Sequence, residues 1–147
     1  MILFPNVLFA QEAVGDVSAR IEGDSYLGEI GNQAEILLGE IMCTIYVGGL
    51  QSNKELAPEK FKITLNCGKK TQVLWDIEYP APDDYSFDDP KFLIEWAGDR
   101  DGDGAIDLIM DMSAKYSCWK KVTYLSTKAT ENEIVGDSGE VDTGCGC

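Results

Sequence analysis

The 147-residue sequence predicts an all-β fold, an antiparallel β-sandwich or partly open barrel carrying one strand-loop-strand calcium site. Three observations lead there. Apolar side chains recur at every second position in several short runs, the period of a half-buried strand. Gly, Asn and Pro turn signals separate those runs at short intervals, as antiparallel hairpins require. No long stretch with the 3.6-residue period of an amphipathic helix interrupts them.

Taken in order, Met1 to Ala10 (MILFPNVLFA) is an apolar run ending in a small residue. It reads as the remnant of a secretory signal with a cleavage site after Ala10 or, alternatively, as a mature apolar strand, and it is too short to cross a bilayer as a helix. Residues 11–130 read as a single β-domain. Val17 to Ile21 alternates, Glu35 to Leu38 follows a Gly-Asn turn, and Ile41 to Val47 is rich in β-formers, with Gly48-Gly49 as its punctuation. Gln51 to Pro58 is a polar loop. Phe61, Ile63 and Leu65 alternate with Lys60, Lys62 and Thr64, and after a turn at 66–70 comes a strand, Thr71 to Tyr79, that includes Trp75. Pro80 to Pro90 is an acidic loop whose Asp83, Asp84, Asp88 and Asp89 read as surface charge or as a second weak cation site. Phe92 to Ala97 and Ile106 to Met112 flank the loop discussed next. Ser113 to Lys121 is a connection, and Val122 to Ser126 is a further strand. Residues 131–147 form an acidic, glycine-containing tail, expected to be loosely held unless its cysteines tie it down.

The stretch with the clearest chemistry is Asp99-Arg100-Asp101-Gly102-Asp103-Gly104-Ala105-Ile106-Asp107. Carboxylates at every second position cannot share a helix face, and on one side of a strand they would repel. They are accommodated if the backbone curls round a hard divalent cation, and Ca²⁺ accepts about six to eight oxygens in such loops. Asp99, Asp101 and Asp103 would ligate directly, Gly104 makes the sharp turn at the sixth position, Ala105 offers its carbonyl at the seventh, and Asp107 ligates at the ninth. An EF-hand would close with a bidentate Glu at the twelfth position between two helices. Here that position is Met110 and the flanks are strands. The loop therefore belongs to a β-hairpin rather than to a helix-opening sensor.

From Trp96 to Leu108 the sequence resembles the D-x-D-G-D-G-x-x-D-L loops of FG-GAP and VCBS-type repeats, calcium-stapled hairpins of integrin-like propellers and of many secreted bacterial proteins. The resemblance extends over about Phe92 to Ser126, where it is similar to small secreted bacterial β-proteins with a single such loop. It implies Asp99, Asp101, Asp103, the Ala105 carbonyl and Asp107 as the calcium ligands. One copy cannot build a propeller, which needs repeated blades.

A formal charge of −14 disfavours nucleic acid and anionic membranes as partners and suits a protein that holds cations. The chain has no histidine, so neither a Ser-His-Asp nor a Cys-His centre can form within it. Asp101-Gly102-Asp103-Gly104 superficially matches the nucleophile loop of haloacid-dehalogenase-type phosphatases, but that chemistry needs a parallel strand before it and a helix after it. Five cysteines, Cys43, Cys67, Cys118, Cys145 and Cys147, lack C-x-x-C spacing and leave their pairing open; in an oxidising compartment two bridges would leave one thiol.

The expectation is a non-catalytic, calcium-binding β-domain, secreted, periplasmic or on the cell surface, with a structural, adhesive or ligand-binding role. Two alternatives stay open. One is self-association into an oligomer or fibre by strand addition. The other is glycan binding through Trp75, Trp96 and Trp119.

Overall fold

A computed structural model describes residues 17–55, 58–78 and 90–146. The apolar segment 1–10 and the acidic residues Asp83, Asp84, Asp88 and Asp89 lie outside the described residues. The described residues form ten strands: β1 (Val17–Ser18), β2 (Arg20–Gly23), β3 (Gln33–Leu38), β4 (Ile41–Leu50), β5 (Lys60–Cys67), β6 (Lys70–Glu78), β7 (Leu93–Asp99), β8 (Asp107–Asp111), β9 (Cys118–Leu125) and β10 (Gly136–Cys145). Among the described residues there is no α-helix, only a single 3₁₀ turn at Ser126–Lys128.

The strands form two five-stranded antiparallel sheets, ordered β1-β7-β8-β9-β10 and β2-β3-β4-β5-β6. Alternation in the sequence decides which face is buried. Ala34 and Ile36 of β3, Cys43, Ile45 and Val47 of β4, and Phe61, Ile63 and Leu65 of β5 point inward from one sheet. Ile94, Ala97, Leu108, Met110 and Val122 meet them from the other in one shared core. Each large side chain so buried contributes roughly 1.5–3 kcal/mol relative to exposure. The arrangement is that of an open sandwich.

The two sheets are joined at both edges. The first join is the segment from β1 to Leu27. Val17 and Ser18 pair with Asp99 and Gly98, and the Ala19 N–H donates to the Ala97 carbonyl at 2.8 Å. The chain then leaves β7 to pair as β2 with β3, and returns to β7, where Leu27 donates to Phe92 at 2.7 Å and Ile94 donates to Ser25 at 2.9 Å. At the far edge the Gln72 side chain of β6 bonds to the backbone of Ile134 and Val135, just before β10.

Several boundaries differ from those the sequence suggests. β4 continues through Gly48 and Gly49 to Leu50, and Gly49 serves packing rather than chain reversal. A Cβ at Gly49 would sit 2.1 Å from the Lys60 carbonyl oxygen of the neighbouring strand. The 113–121 connection is shorter than expected, since β9 begins at Cys118. Residues 136–145, read as part of a tail, form β10 along the whole of β9. The cysteines tie that strand down: Cys118 is bonded to Cys145, and Cys43 to Cys67, each pair facing across neighbouring strands. The two disulfides suit an extracellular or other oxidising environment. No helix among the described residues is long and apolar enough to cross a membrane.

At the start of β7 the backbone of Phe92 has a φ of 29°, a value that a bulky residue adopts only when its surroundings fix it. Its fully buried ring stacks on Phe61 at 5.4 Å and meets Trp75 at 5.2 Å, which supplies that fixation.

Candidate metal centre

β7 and β8 are antiparallel neighbours, with Gly98 opposite Asp107, and the loop 99–107 is their hairpin connection. Asp99 ends the first strand and Asp107 begins the second, so the ladder brings both carboxylates to the same end of the sheet. Gly102 and Gly104, with φ of 81° and 82°, turn the intervening backbone in the left-handed region where a side chain would be strained. As a result one oxygen from each of Asp99, Asp101, Asp103 and Asp107 lies within 4.8 Å of the others. The antiparallel strand on each side is not the strand-then-helix frame of a haloacid-dehalogenase nucleophile loop.

The four carboxylates are held differently. Asp99 is buried and accepts from the Gly102 N–H at 2.8 Å and the Gly104 N–H at 2.7 Å, one on each oxygen. Asp107 is fully buried. Its Oδ2 accepts from the Arg100 and Asp101 N–H groups at 2.6 and 3.3 Å, and its Oδ1 from the Ser126 N–H at 2.8 Å. Asp101 and Asp103 are exposed and are reached by hydroxyls from the turn after β9. Thr127 Oγ1 donates to Asp101 at 2.8 Å, and Ser126 Oγ lies 2.5 Å from Asp103 Oδ2 and 3.0 Å from Asp107 Oδ1. One hydroxyl hydrogen serves both of the latter. For Ala105 the expectation concerned its carbonyl; what the structure gives is its N–H, donated to Asp103 Oδ1 at 3.1 Å.

Each carboxylate oxygen has two lone pairs, so Asp99, whose oxygens each accept one N–H bond, keeps room for a cation, whereas both Asp107 oxygens already accept two bonds and would take an ion in place of one of them, such as that from the Ser126 hydroxyl. The set consists wholly of hard, charged oxygens, the donors preferred by Ca²⁺ and Mg²⁺ over softer metals. Arg100, the only basic residue in the loop, is turned away to Glu140 at 3.7 Å. Like charges 4–5 Å apart repel by about 4 kcal/mol per pair at an effective dielectric constant of 20, which a divalent cation at the centre reverses. The residues present thus fit a hard divalent ion.

Ser126 and Thr127 were not legible as part of this cluster. They lie 19 and 26 residues along the chain from their partners, and the only available signal is a Ser-Thr pair placed straight after the last apolar residue of β9. Asp111, also buried, is not part of the cluster. Its Oδ1 accepts from the Ser113 and Lys120 N–H groups, both at 3.1 Å, and thereby closes the other end of β8. The tryptophans are dispersed as well. Trp96 donates to Ser18 Oγ at 3.0 Å, Trp75 packs against Phe92, and Trp119 lies against Gly144 with its indole N–H donated to Asp142 Oδ1 at 3.3 Å.

No protein-family model, curated protein or solved structure matches this chain.

Proposed function

We propose that loop 99–107 binds calcium, and that the ion staples the β7–β8 hairpin of a non-catalytic domain working in the cell envelope or outside the cell. The single observation that carries this reading is the convergence of four carboxylates within 4.8 Å on a hairpin whose one basic residue, Arg100, pairs with Glu140. Asp99 and Asp107 form the fixed part of the site, held by backbone N–H groups. Asp101 and Asp103, exposed and reached only by side-chain hydroxyls and one loop N–H, are the part that closes on the ion. Ser126 and Thr127 orient them from outside, as groups around a metal site commonly do.

The address follows from the same chemistry. Extracellular calcium modules bind at about 10⁻⁴ to 10⁻³ M, concentrations met outside cells, so this site acts as a staple rather than a sensor. Two disulfides support an oxidising location. The role of the domain is structural or ligand-binding. At one sheet edge, β10, strand addition is discouraged by Asp137, Glu140 and Asp142 and by an irregular register between Asp137 and Val141.

Thermal unfolding in EDTA, then in millimolar Ca²⁺ or Mg²⁺, tests the reading. At a calcium concentration ten times the Kd the expected stabilisation is about 1.4 kcal/mol, or about 3–6 °C in melting temperature. It should be selective for calcium and absent from an Asp101→Ala, Asp103→Ala double variant. An unchanged melting temperature with both ions would overturn it.

A further inference from the structure

We infer that the outer face of β9 and β10 binds a neutral pyranose of the glucose type, one whose hydroxyls are all equatorial. The site is a four-residue patch and makes no use of loop 99–107. Trp119 lies opposite Gly144 and Lys121 opposite Asp142, in the regular part of the β9–β10 ladder. Successive side chains of a strand point to opposite faces. Val122 enters the core, so Trp119 and Lys121 turn away from it, together with their partners on β10.

Three observations define the ligand. The first is a flat apolar platform. A Cβ built at Gly144 would stand 2.3, 2.7 and 2.8 Å from three adjoining ring atoms of Trp119, Cζ2, Cη2 and Cε2. A point over the face of a ring is that near to all three, whereas a point beside its edge is not. The indole is therefore laid flat on the glycine, and its other face, on a partly exposed residue, is turned to solvent. Its N–H is donated to Asp142 Oδ1 at 3.3 Å, which fixes the ring and leaves its apolar face for a partner. Such a face takes a saturated ring whose C–H bonds project above and below its plane. The second is a polar border. Asp142 keeps a second carboxylate oxygen as an acceptor, and the Lys121 ammonium beside it is a donor. Equatorial hydroxyls, each donor and acceptor at once, meet both in the plane of the sugar ring. A purely aromatic partner would strip water from these two charges and replace none of it. The third is charge. Glu95, hydrogen-bonded to Lys121 at 3.2 Å, holds that ammonium above the usual lysine range, and Asp111 and Asp142 add to the effect. Three carboxylates around one ammonium leave the patch negative, on a chain whose formal charge is −14. Uronates, nucleotides and other anions are repelled here, and a neutral sugar is not.

The test uses the full chain in EDTA, which keeps the result separate from that of the aspartate loop. The probes are cellotriose and, as its acidic counterpart, the glucuronate trisaccharide of the same linkage. Calorimetry should show saturable binding of cellotriose at millimolar concentration and binding about tenfold weaker for the acidic sugar. Trp119→Ala should weaken cellotriose binding at least about tenfold. Asp142→Ala, at an exposed position where the fold is retained, should weaken it about tenfold as well. No saturable response to millimolar cellotriose, equal or tighter binding of the acidic sugar, or an affinity unchanged by Asp142→Ala would each overturn the assignment.

Discussion

Gln72 and Val135 exchange two hydrogen bonds across 63 residues of chain: the Gln72 amide donates to the Val135 carbonyl at 2.8 Å, and the Val135 N–H donates back to its oxygen at 3.0 Å. The same oxygen also accepts from the Ile134 N–H at 2.7 Å. A side-chain amide thus takes the place of a strand residue and closes the gap between β6 and the approach to β10. Val135 is fully buried, so no water replaces the bonds if they are lost.

Gln72→Ala should therefore destabilise the fold by about 2–3 kcal/mol, because it leaves buried backbone groups unpaired. Urea unfolding measures the loss. Amide hydrogen exchange at Ile134 and Val135 should quicken more than in β4, and an unchanged unfolding midpoint would show that the edge closure contributes nothing.

The four aspartates should separate into two classes. Asp107→Asn places an amide N–H against backbone donors and should cost about 2–4 kcal/mol even in EDTA. Asp101→Asn, at an exposed position relieved of repulsion, should change stability in EDTA by no more than about 0.5 kcal/mol and still lose most of the calcium response. Paired denaturation curves with and without calcium distinguish the two classes.

Removing the disulfide between Cys118 and Cys145, as Cys118→Ser with Cys145→Ser, should cost about 3.5 kcal/mol on the chain-entropy estimate for a closed loop of this length. The loss should concentrate in β10, most of whose side chains are exposed and whose hold on the sheet is its ladder with β9. Exchange protection at 141–145 should fall first.

Tyr124 should titrate late. Burial, then the nearby Asp137 carboxylate, pushes its hydroxyl up to about 12. In the unfolded chain it ionises near pH 10. Its contribution to stability is thus full below pH 10 and is lost as pH rises from about 10 to 12, because the unfolded state sheds its proton first. Tyr124→Phe should flatten that part of the alkaline stability curve, and absorbance titration should show one fewer late-ionising tyrosine.

Much of the sandwich was legible because burial on one face writes a period of two into the chain, as at Phe61, Ile63 and Leu65. The aspartate cluster was legible because its members are close in sequence and a ladder pair, Gly98 with Asp107, closes the hairpin. What escaped notice depends on distance along the chain or on neighbours the sequence does not name. Gly49 looks like a turn until Lys60 is seen against it. β10 is too acidic to look like a strand, since it is an edge with little to bury and is held by a ladder and a cross-link. Gln72, Ser126 and Thr127 are polar residues without periodicity, and their partners lie 19 to 63 residues away.

The sheet-crossing segment also sets how the domain would carry mechanical load. Tension reaching Val17 from the preceding chain falls first on two residue pairs, Val17 with Asp99 and Ser18 with Gly98. Asp99 is at once the last residue of β7 and a member of the aspartate cluster, so the grip at that point and the filling of the loop are one mechanical element. Tension arriving beyond Cys145 passes through the covalent bridge to Cys118 and bypasses the hydrogen bonds of β10. One end of the fold is held by two residue pairs beside the aspartate loop, and the other is locked by a bond that only a reductant releases.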